Sequence, residues 1–110
     1  MTLPSLLPKK PRRSSRVRCP SHLRWVRSFR CCVPGCKNTD IQAAHVRKGT
    51  DGSTAEKPSD RWAISLCSHH HDQQHLSGEV TFEGWWNINL KALAEEFARK
   101  SPHRRKLEGK

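Results

Sequence analysis

Most of the cysteine and histidine residues fall in two short segments, and their types and spacing are those of metal ligands. The segments CCVPGC and CSHHHDQQH hold four of the five cysteines and four of the seven histidines. Structural zinc takes four thiolate or imidazole ligands, usually as two close pairs. The pairs available here are Cys31 or Cys32 with Cys36, and Cys67 with His70. They predict a structural Zn²⁺ site; the longer loop favours Cys31 over Cys32, but the sequence does not decide between them.

The second segment could serve two sites if it forms a helix. At about 100° per residue, His71 and His75 project within about 40° of each other, and Cys67 and His70 lie on a neighbouring face. His69 points away from both faces, so we expect it to be exposed. A histidine pair four residues apart is a metal clamp in several hydrolases, although it could equally be a solvated helix face.

His45 is the residue that favours a hydrolytic site over a solvated face. It lies near the end of a short apolar segment, IQAAHV, which predicts a strand. In a hairpin packed on the helix, His45 would face His71. A neutral imidazole beside a metal ion and a phosphodiester can take a proton from water. We therefore predict a site of His45, His71 and His75 with Mg²⁺ or Mn²⁺; the alternative for His45 is a hydrogen-bonded core histidine.

The elements that must position these residues follow from the apolar pattern and the turn residues. They predict a small α+β fold in the order strand, strand, helix, with flanking helices. The predicted elements are a helix capped by Ser21, strands at 41–46 and 61–66 joined by the polar loop 47–60, a helix from Cys67 to about His75 closed by Gly78, and a helix carrying Leu90, Leu93, Ala94 and Phe97. Phe82, Trp85 and Trp86 are expected in the core.

The net charge of +11 is spread unevenly: no Asp or Glu precedes Asp40, whereas ten Lys or Arg residues do. Each neutralised phosphate releases condensed counterions, so this charge favours a polyanion. We expect DNA as the partner, with single-stranded DNA as one candidate form; the charge could also serve solubility alone. Residues 1–18 predict a disordered basic arm in which Arg12 and Arg13 contact nucleic acid.

The length and the cysteine count limit the number of domains and indicate the redox setting of the protein. The chain has 110 residues and 34% apolar content, enough for one domain with a marginal core, which we place at 19–101, followed by a basic tail at 102–110. An odd number of cysteines and the lack of a secretory signal favour a reducing, cytoplasmic setting over a disulfide framework. No stretch reaches the roughly 18 apolar residues that a membrane span requires.

Several segments of the chain resemble a known family, the HNH nucleases, which have a ββα-metal core. The segments that carry the resemblance are CCVPGC, AAHVRKGTDG, KPSDRW, ISLCSHHHDQQH and FEGWW. They look most like the subgroup related to the phage Ref (recombination enhancement function) nuclease, found in phage and prophage regions. The resemblance implies a ββα-metal fold with a separate zinc knuckle, DNA cleavage with a divalent metal, and a recombination protein as a further candidate partner.

Carried over residue by residue, the resemblance makes His45 the general base and His71 a metal ligand. His75 then becomes a further ligand or a phosphate contact. The zinc positions fall on Cys31, Cys36, Cys67 and His70, the last standing where many HNH proteins have cysteine.

Two positions depart from the family pattern. Ala44 occupies the position at which many members have an acidic metal ligand. The asparagine that orients the base in the family would align near Trp62. Asp60 is the nearest carboxylate, and we expect it to bind the metal or to orient His45. Arg47 and Lys57 flank the site and could stabilise the phosphate, although each could also be a solvated charge.

Two other classes of function compete with hydrolysis of DNA. A non-catalytic zinc module that binds nucleic acid needs only the cysteine pairs, His70 and the basic arm, and it leaves His45 without a task. A nucleobase deaminase needs His-x-Glu and Pro-Cys-x-x-Cys patterns, which the chain lacks. The sequence therefore favours a metal-dependent DNA endonuclease, with the zinc module as its alternative.

Overall fold

The computed structural model describes residues 16–52 and 57–108, which form a small α+β fold with one two-stranded sheet. The elements are α1 (Pro20–Val26), β1 (Ile41–His45), a 3₁₀ turn (Asp60–Trp62), β2 (Ala63–Cys67), α2 (Ser68–Ser77), α3 (Glu79–Trp86), α4 (Leu90–Lys100) and α5 (Arg104–Leu107). The predicted order of strand, strand and helix is therefore present, with helices on either side of it.

The hairpin register determines which residues can meet. β1 pairs antiparallel with β2, with Ile41 opposite Cys67 and His45 opposite Ala63. The 3₁₀ turn directly precedes β2, so Asp60 lies beside the end of β1 that carries His45. At the other end, Cys67 leads straight into α2. The cysteine cluster therefore lies at one end of the hairpin, and His45 with Asp60 lies at the other.

Of two predicted helix boundaries, the start of α1 was wrong and the end of α2 is confirmed. α1 begins at Pro20, with Cys19 in the capping position, so Ser21 is not its N-cap. Proline favours the first helical turn, where its missing N–H needs no partner. At the other end of the core, Gly78 closes α2 as predicted, with φ of 88°. Its backbone N–H donates a hydrogen bond to the carbonyl of Gln74, and α3 begins at the next residue.

The core lies between the sheet and helices α3 and α4. Its fully buried members are Ala44, Val46, Ile64, Leu66, Phe82, Leu90 and Ala94. Trp86 packs against this core, but Trp85 is 55% exposed, so its expected burial was wrong. α3 is only eight residues long, and Trp85 lies next to Trp86 in sequence, so a helix turns their side chains about 100° apart. Only one of the two can face the core.

Described residues lie on both sides of the boundaries that were predicted for the arm and the tail. Val17 exchanges hydrogen bonds with Ser59 and Asp60, although the arm was placed at 1–18. In the predicted tail, α5 buries Leu107 against Cys19 and Ala98. The rest of the arm, including Arg12 and Arg13, lies outside the described residues. No helix within 16–52 and 57–108 is long and apolar enough to cross a bilayer.

Candidate functional site

The first site is a cluster of three thiols and one imidazole at the β2–α2 junction. Cys31 and Cys36 come from the knuckle loop before β1, Cys67 ends β2, and His70 lies in the first turn of α2. The ligand atoms of these four residues lie within 4.8 Å of one another. All four predicted zinc ligands are thus in one place, and the group could hold a zinc ion.

The distances inside the cluster match those around tetrahedral zinc. His70 Nδ1 lies 3.5 Å from Cys31 Sγ and 3.2 Å from Cys67 Sγ. The sulfur atoms of Cys36 and Cys67 are 3.9 Å apart. Zinc–sulfur bonds of about 2.3 Å and zinc–nitrogen bonds of about 2.0 Å in a tetrahedron require separations of roughly 3.8 Å for two sulfurs and 3.5 Å for sulfur and nitrogen. The cluster therefore has the size that zinc requires.

The pKa values of the two buried thiols of the cluster are shifted in opposite directions. Burial raises the pKa of Cys31 to about 12, so its thiolate requires a positive partner. Burial also acts to raise the pKa of Cys67, but hydrogen bonds from the Asn38 side chain and the His70 N–H outweigh it and lower that pKa. A bound Zn²⁺ would stabilise the thiolate form of both residues.

Cys31 and Cys32 have different roles despite being neighbours. Cys32 Sγ lies outside the cluster, 3.5 Å from Ser65 Oγ, while its backbone N–H donates to the carbonyl of Ser65. This bond to β2 holds the loop so that Cys31 points at His70. All five cysteines are free thiols. The choice that the sequence left open is therefore Cys31.

The second site is a cleft of about 320 Å³ between β1, α1 and α2. The predicted residues that line it are His45, Arg47, Lys57, His71 and His75. Leu23, Arg27 and Ala43 complete its wall. The cleft can take a phosphodiester group with several waters, since a water occupies about 30 Å³. Its polar lining is wholly basic or imidazole.

His71 and His75 meet in this cleft as a chelating pair would. Their Nε2 atoms are 3.2 Å apart, and His71 Nδ1 donates to the side-chain oxygen of Gln42 at 2.6 Å. Because that oxygen can only accept, Nδ1 carries the proton and Nε2 of His71 keeps its lone pair. Burial, followed by repulsion from His75, lowers the pKa of His71 and favours the neutral ring. Without a cation, the same contact is an N–H···N hydrogen bond.

His45 is held by a buried carboxylate at the rim of the cleft. Its Nε2 lies 2.9 Å from Asp60 Oδ1, and its side chain is 13% exposed. The other oxygen, Oδ2, accepts from the backbone N–H of Cys19 at 2.7 Å. Burial alone would raise the pKa of Asp60, but the bonds from His45 and Cys19 outweigh it and lower the pKa. Both oxygens of Asp60 are engaged, so it orients His45 and leaves Nδ1 of that ring to act.

Gln74 is a contact to His45 that the sequence did not reveal. Its side-chain amide nitrogen, Nε2, donates to the carbonyl of His45 at 3.1 Å and to the Glu79 carboxylate at 3.0 Å, and the side chain is buried. Gln74 is on α2, one turn from His71, so it ties the end of β1 to the helix that carries the histidine pair. No local pattern marks Gln74 in the sequence, because its burial is a property of the assembled fold.

The two departures from the family pattern have structural consequences. Ala44 is fully buried in the core, where an ionised acid would be desolvated, so no carboxylate ligand comes from this position. Trp62 carries Arg61 and Lys91 over its ring, at 4.7 and 5.7 Å from the centroid, and its carbonyl accepts from Val46. It supports the end of the hairpin through this backbone bond.

The remaining predicted positions differ in how they are held. The backbone N–H groups of Arg47 and Lys48 both donate to the Glu79 carboxylate, which holds Arg47 at the cleft. Lys57 is exposed, and its carbonyl accepts from Arg18. His69 is exposed, as predicted, with its Nε2 3.5 Å from the Gln73 amide.

His22 is a buried histidine beneath the site that the sequence analysis passed over. It is fully buried on α1, and its Nδ1 is 2.9 Å from Ser101 Oγ, while its Nε2 has no hydrogen-bond partner. Burial is the main reason why its pKa is lowered to about 4, against the opposing charge of Asp60. The ring is therefore neutral at pH 7 and packs against Trp25, with centroids 5.7 Å apart.

This buried histidine predicts acid sensitivity of the fold. In the unfolded chain His22 takes up a proton near pH 6.5, whereas the folded chain resists until about pH 4, so the unfolded state gains relative stability as the pH falls through this window. Between pH 7.5 and 5 this should cost about 2 kcal/mol of the free energy of unfolding. Urea titrations of the unaltered chain and His22→Phe should show that difference in pH dependence. Equal pH dependence would contradict it.

Comparisons with known proteins give one informative result. The family model described as a protein of unknown function (DUF968) matches residues 3–101. No curated protein and no solved structure matches the chain. The matched range includes both the cysteine cluster and the histidine cleft.

Proposed function

The chain belongs to the DUF968 family of proteins of unknown function, and from its histidine cleft we propose that it is a metal-dependent DNA endonuclease. The proposal takes β1, β2 and α2 as a ββα-metal core of the HNH type, with the cysteine cluster as its structural zinc knuckle. The processing of phage or prophage DNA is the role that the resemblance to Ref-like nucleases suggests.

One observation carries this proposal: three imidazoles from distant parts of the chain line one basic cleft. His45 comes from the end of β1, and His71 and His75 come from α2. A zinc module that only binds nucleic acid would need none of these contacts. A buried carboxylate that holds one imidazole, and an amide that fixes another, are typical of a reactive site.

His71 and His75 can supply two imidazole ligands to a divalent cation, and water and the substrate phosphate would supply the oxygen ligands. Two imidazole nitrogens bound to one ion are separated by about 3.0–3.4 Å, and those of His71 and His75 are 3.2 Å apart. Gln42 supplies the outer hydrogen bond that metal-bound histidines usually make. Mg²⁺ and Mn²⁺ commonly keep several waters and bind substrate phosphate. When bound, such a cation would neutralise the phosphate and the departing oxygen.

The chain's own groups would perform the proton transfer and hold the substrate. His45 takes a proton from the attacking water at Nδ1, while Asp60 accepts the hydrogen bond from its Nε2 and stabilises the imidazolium that forms. The water oxygen forms a bond to phosphorus as the bond to the departing sugar oxygen breaks. Arg47 and Lys57 neutralise the charge of the phosphoryl oxygens from the other wall of the cleft.

The proposal is tested by incubating the zinc-loaded protein with supercoiled plasmid and with single-stranded DNA, with and without added Mg²⁺ or Mn²⁺. We expect cleavage only when the cation is added. His71→Ala should lower the cleavage rate at least 10-fold, since even outer contacts of a metal site are worth 10- to 100-fold. His69→Ala is the matched control, because it removes an exposed histidine from the same helix.

The outcomes separate the two candidate functions. Cation-dependent cleavage that His71→Ala removes and His69→Ala preserves would support the endonuclease. DNA binding without cleavage under any of these cations would reject it in favour of the non-catalytic zinc module. Equal losses in the two variants would show that the helix as a whole, and not a metal at His71, was disturbed.

A further inference from the structure

A second concave surface adjoins the histidine cleft and is not used by the proposed chemistry. It lies between the end of α1 and the loop after Cys36, with a volume of about 520 Å³. We call it the α1 groove; its main lining residues are Arg27, Phe29, Arg30, Lys37, Asn38 and Thr39. Arg27 lines both this groove and the histidine cleft. The two surfaces are therefore neighbours that one extended ligand can cover.

The charge of the α1 groove distinguishes it from other hollows on the described surface. Neither its lining nor that of the histidine cleft includes an Asp or a Glu. The other three main hollows each contain a glutamate, and these are Glu79, Glu95 with Glu108, and Glu96. Each of these three hollows also contains Lys or Arg, whereas the charged side chains of the α1 groove and the histidine cleft are cationic alone. The groove and the cleft together form a continuous cationic surface, which favours a polyanionic ligand.

An aromatic ring stands at the edge of this cationic surface. Phe29 is 41% exposed, and it lines both the α1 groove and an apolar hollow beside it. Edge-to-face contacts with Trp25 and Phe97, at 4.8 and 5.3 Å between centroids, hold the ring in place. Basic side chains combined with a fixed, exposed ring are the usual means of binding single-stranded nucleic acid, because every base has a face that can stack.

We propose that the α1 groove binds the DNA strand next to the phosphate in the histidine cleft, with an unpaired base stacked on Phe29. Arg27, Arg30 and Lys37 contact the backbone phosphates. The inference rests on the proposed function for what happens in the cleft, and it specifies the substrate as single-stranded or locally unpaired DNA. A fully paired duplex keeps its bases inside the helix and offers none to the ring.

The electrostatic part is tested by fluorescence anisotropy with a labelled 12-nucleotide single strand, zinc-loaded protein and no added Mg²⁺ or Mn²⁺. Arg30→Gln combined with Lys37→Gln should weaken binding at least 10-fold and reduce the salt slope by about 1.4, since each phosphate contact to a single strand contributes about 0.7. Arg105→Gln combined with Lys106→Gln removes the same charge from α5, where both residues are exposed. Equal losses in the two pairs would overturn the groove as a specific site.

The stacking part is tested with Phe29→Leu and strands that contain or lack bases. The variant should bind the normal strand at least fivefold more weakly, and it should bind an abasic strand within twofold of the unaltered protein. Phe29→Tyr keeps an aromatic ring and should retain the affinity, whereas the comparison with the abasic strand separates loss of stacking from loss of the Trp25 contact. Equal losses on both strands, or an equal loss on a blunt duplex, would overturn the stacked base.

These binding assays keep this inference separate from the proposed chemistry. If the predicted pattern of binding is found in a protein that never cleaves DNA, the endonuclease is rejected and the groove stands. If the protein cleaves DNA but the groove variants bind every strand as the unaltered protein does, the groove is rejected and the endonuclease stands.

Discussion

Replacing His45 with alanine should lower the rate of DNA cleavage by about 10²- to 10⁴-fold, the usual contribution of a general base. The physical reason is that His45 is the imidazole of the cleft that a buried carboxylate holds. Among the described residues, none is placed to replace its Nδ1 as the proton acceptor. DNA affinity should stay within about twofold, because the side chain of His45 is only 13% exposed. The measurement is the nicking rate of supercoiled plasmid with Mn²⁺, beside anisotropy with the same DNA.

Two further variants distinguish loss of the general base from loss of the folded structure. His45→Gln keeps a polar side chain next to Asp60, whose carboxylate is almost fully buried, and it should be equally inactive. Asp60→Asn removes the charge that orients the ring and should cost about 10- to 100-fold, less than losing the base itself. A His45→Ala protein that cleaves within threefold of the unaltered rate would reject His45 as the base.

Replacing Cys31 with serine should remove the bound zinc and abolish the cooperative unfolding transition. Structural zinc contributes apparent binding free energies of about 10–16 kcal/mol in small domains, whereas a core in a chain of 110 residues and 34% apolar content is marginal. The four ligands also join the knuckle loop, β2 and α2, so these elements lose their common anchor together. Zinc content by elemental analysis and thermal unfolding by circular dichroism measure the effect.

The neighbouring thiol is the matched control for this experiment. Cys32→Ser changes the same atom one residue away, but Cys32 Sγ lies outside the cluster. It should retain one zinc per chain and an unfolding midpoint within a few degrees of the unaltered protein. Zinc retained in Cys31→Ser, or lost in Cys32→Ser, would contradict the ligand set.

Local geometry explains what the sequence could predict about this molecule. Helical spacing separates the zinc ligand His70 from the His71–His75 pair on α2, and turn residues locate the knuckle and the end of the helix at Gly78. Two short apolar segments joined by a polar loop predict the hairpin that carries His45. Each of these features depends on residues that are close in sequence, so the pattern of types is enough.

Contacts across long loops could not be predicted in the same way. The register of the hairpin brings Asp60 to His45, and packing of α2 on β1 brings Gln74 to the same residue, 29 positions away. Local residue spacing predicts neither the register of the hairpin nor the packing of α2 on β1. The choice of Cys31 depends likewise on a backbone bond from Cys32 to Ser65 on β2. His22 escaped notice because its burial is a property of the assembled fold.

The most direct test of the central claim, that the histidine cleft is a metal centre, is anomalous diffraction from crystals of the zinc-loaded protein soaked in Mn²⁺. Data on either side of the zinc edge and at longer wavelength distinguish the two elements. The account predicts zinc among Cys31, Cys36, Cys67 and His70, and manganese in contact with Nε2 of both His71 and His75. Manganese absent from this pair, with zinc found as predicted, would contradict a metal-dependent hydrolytic site and leave a zinc-stabilised fold alone.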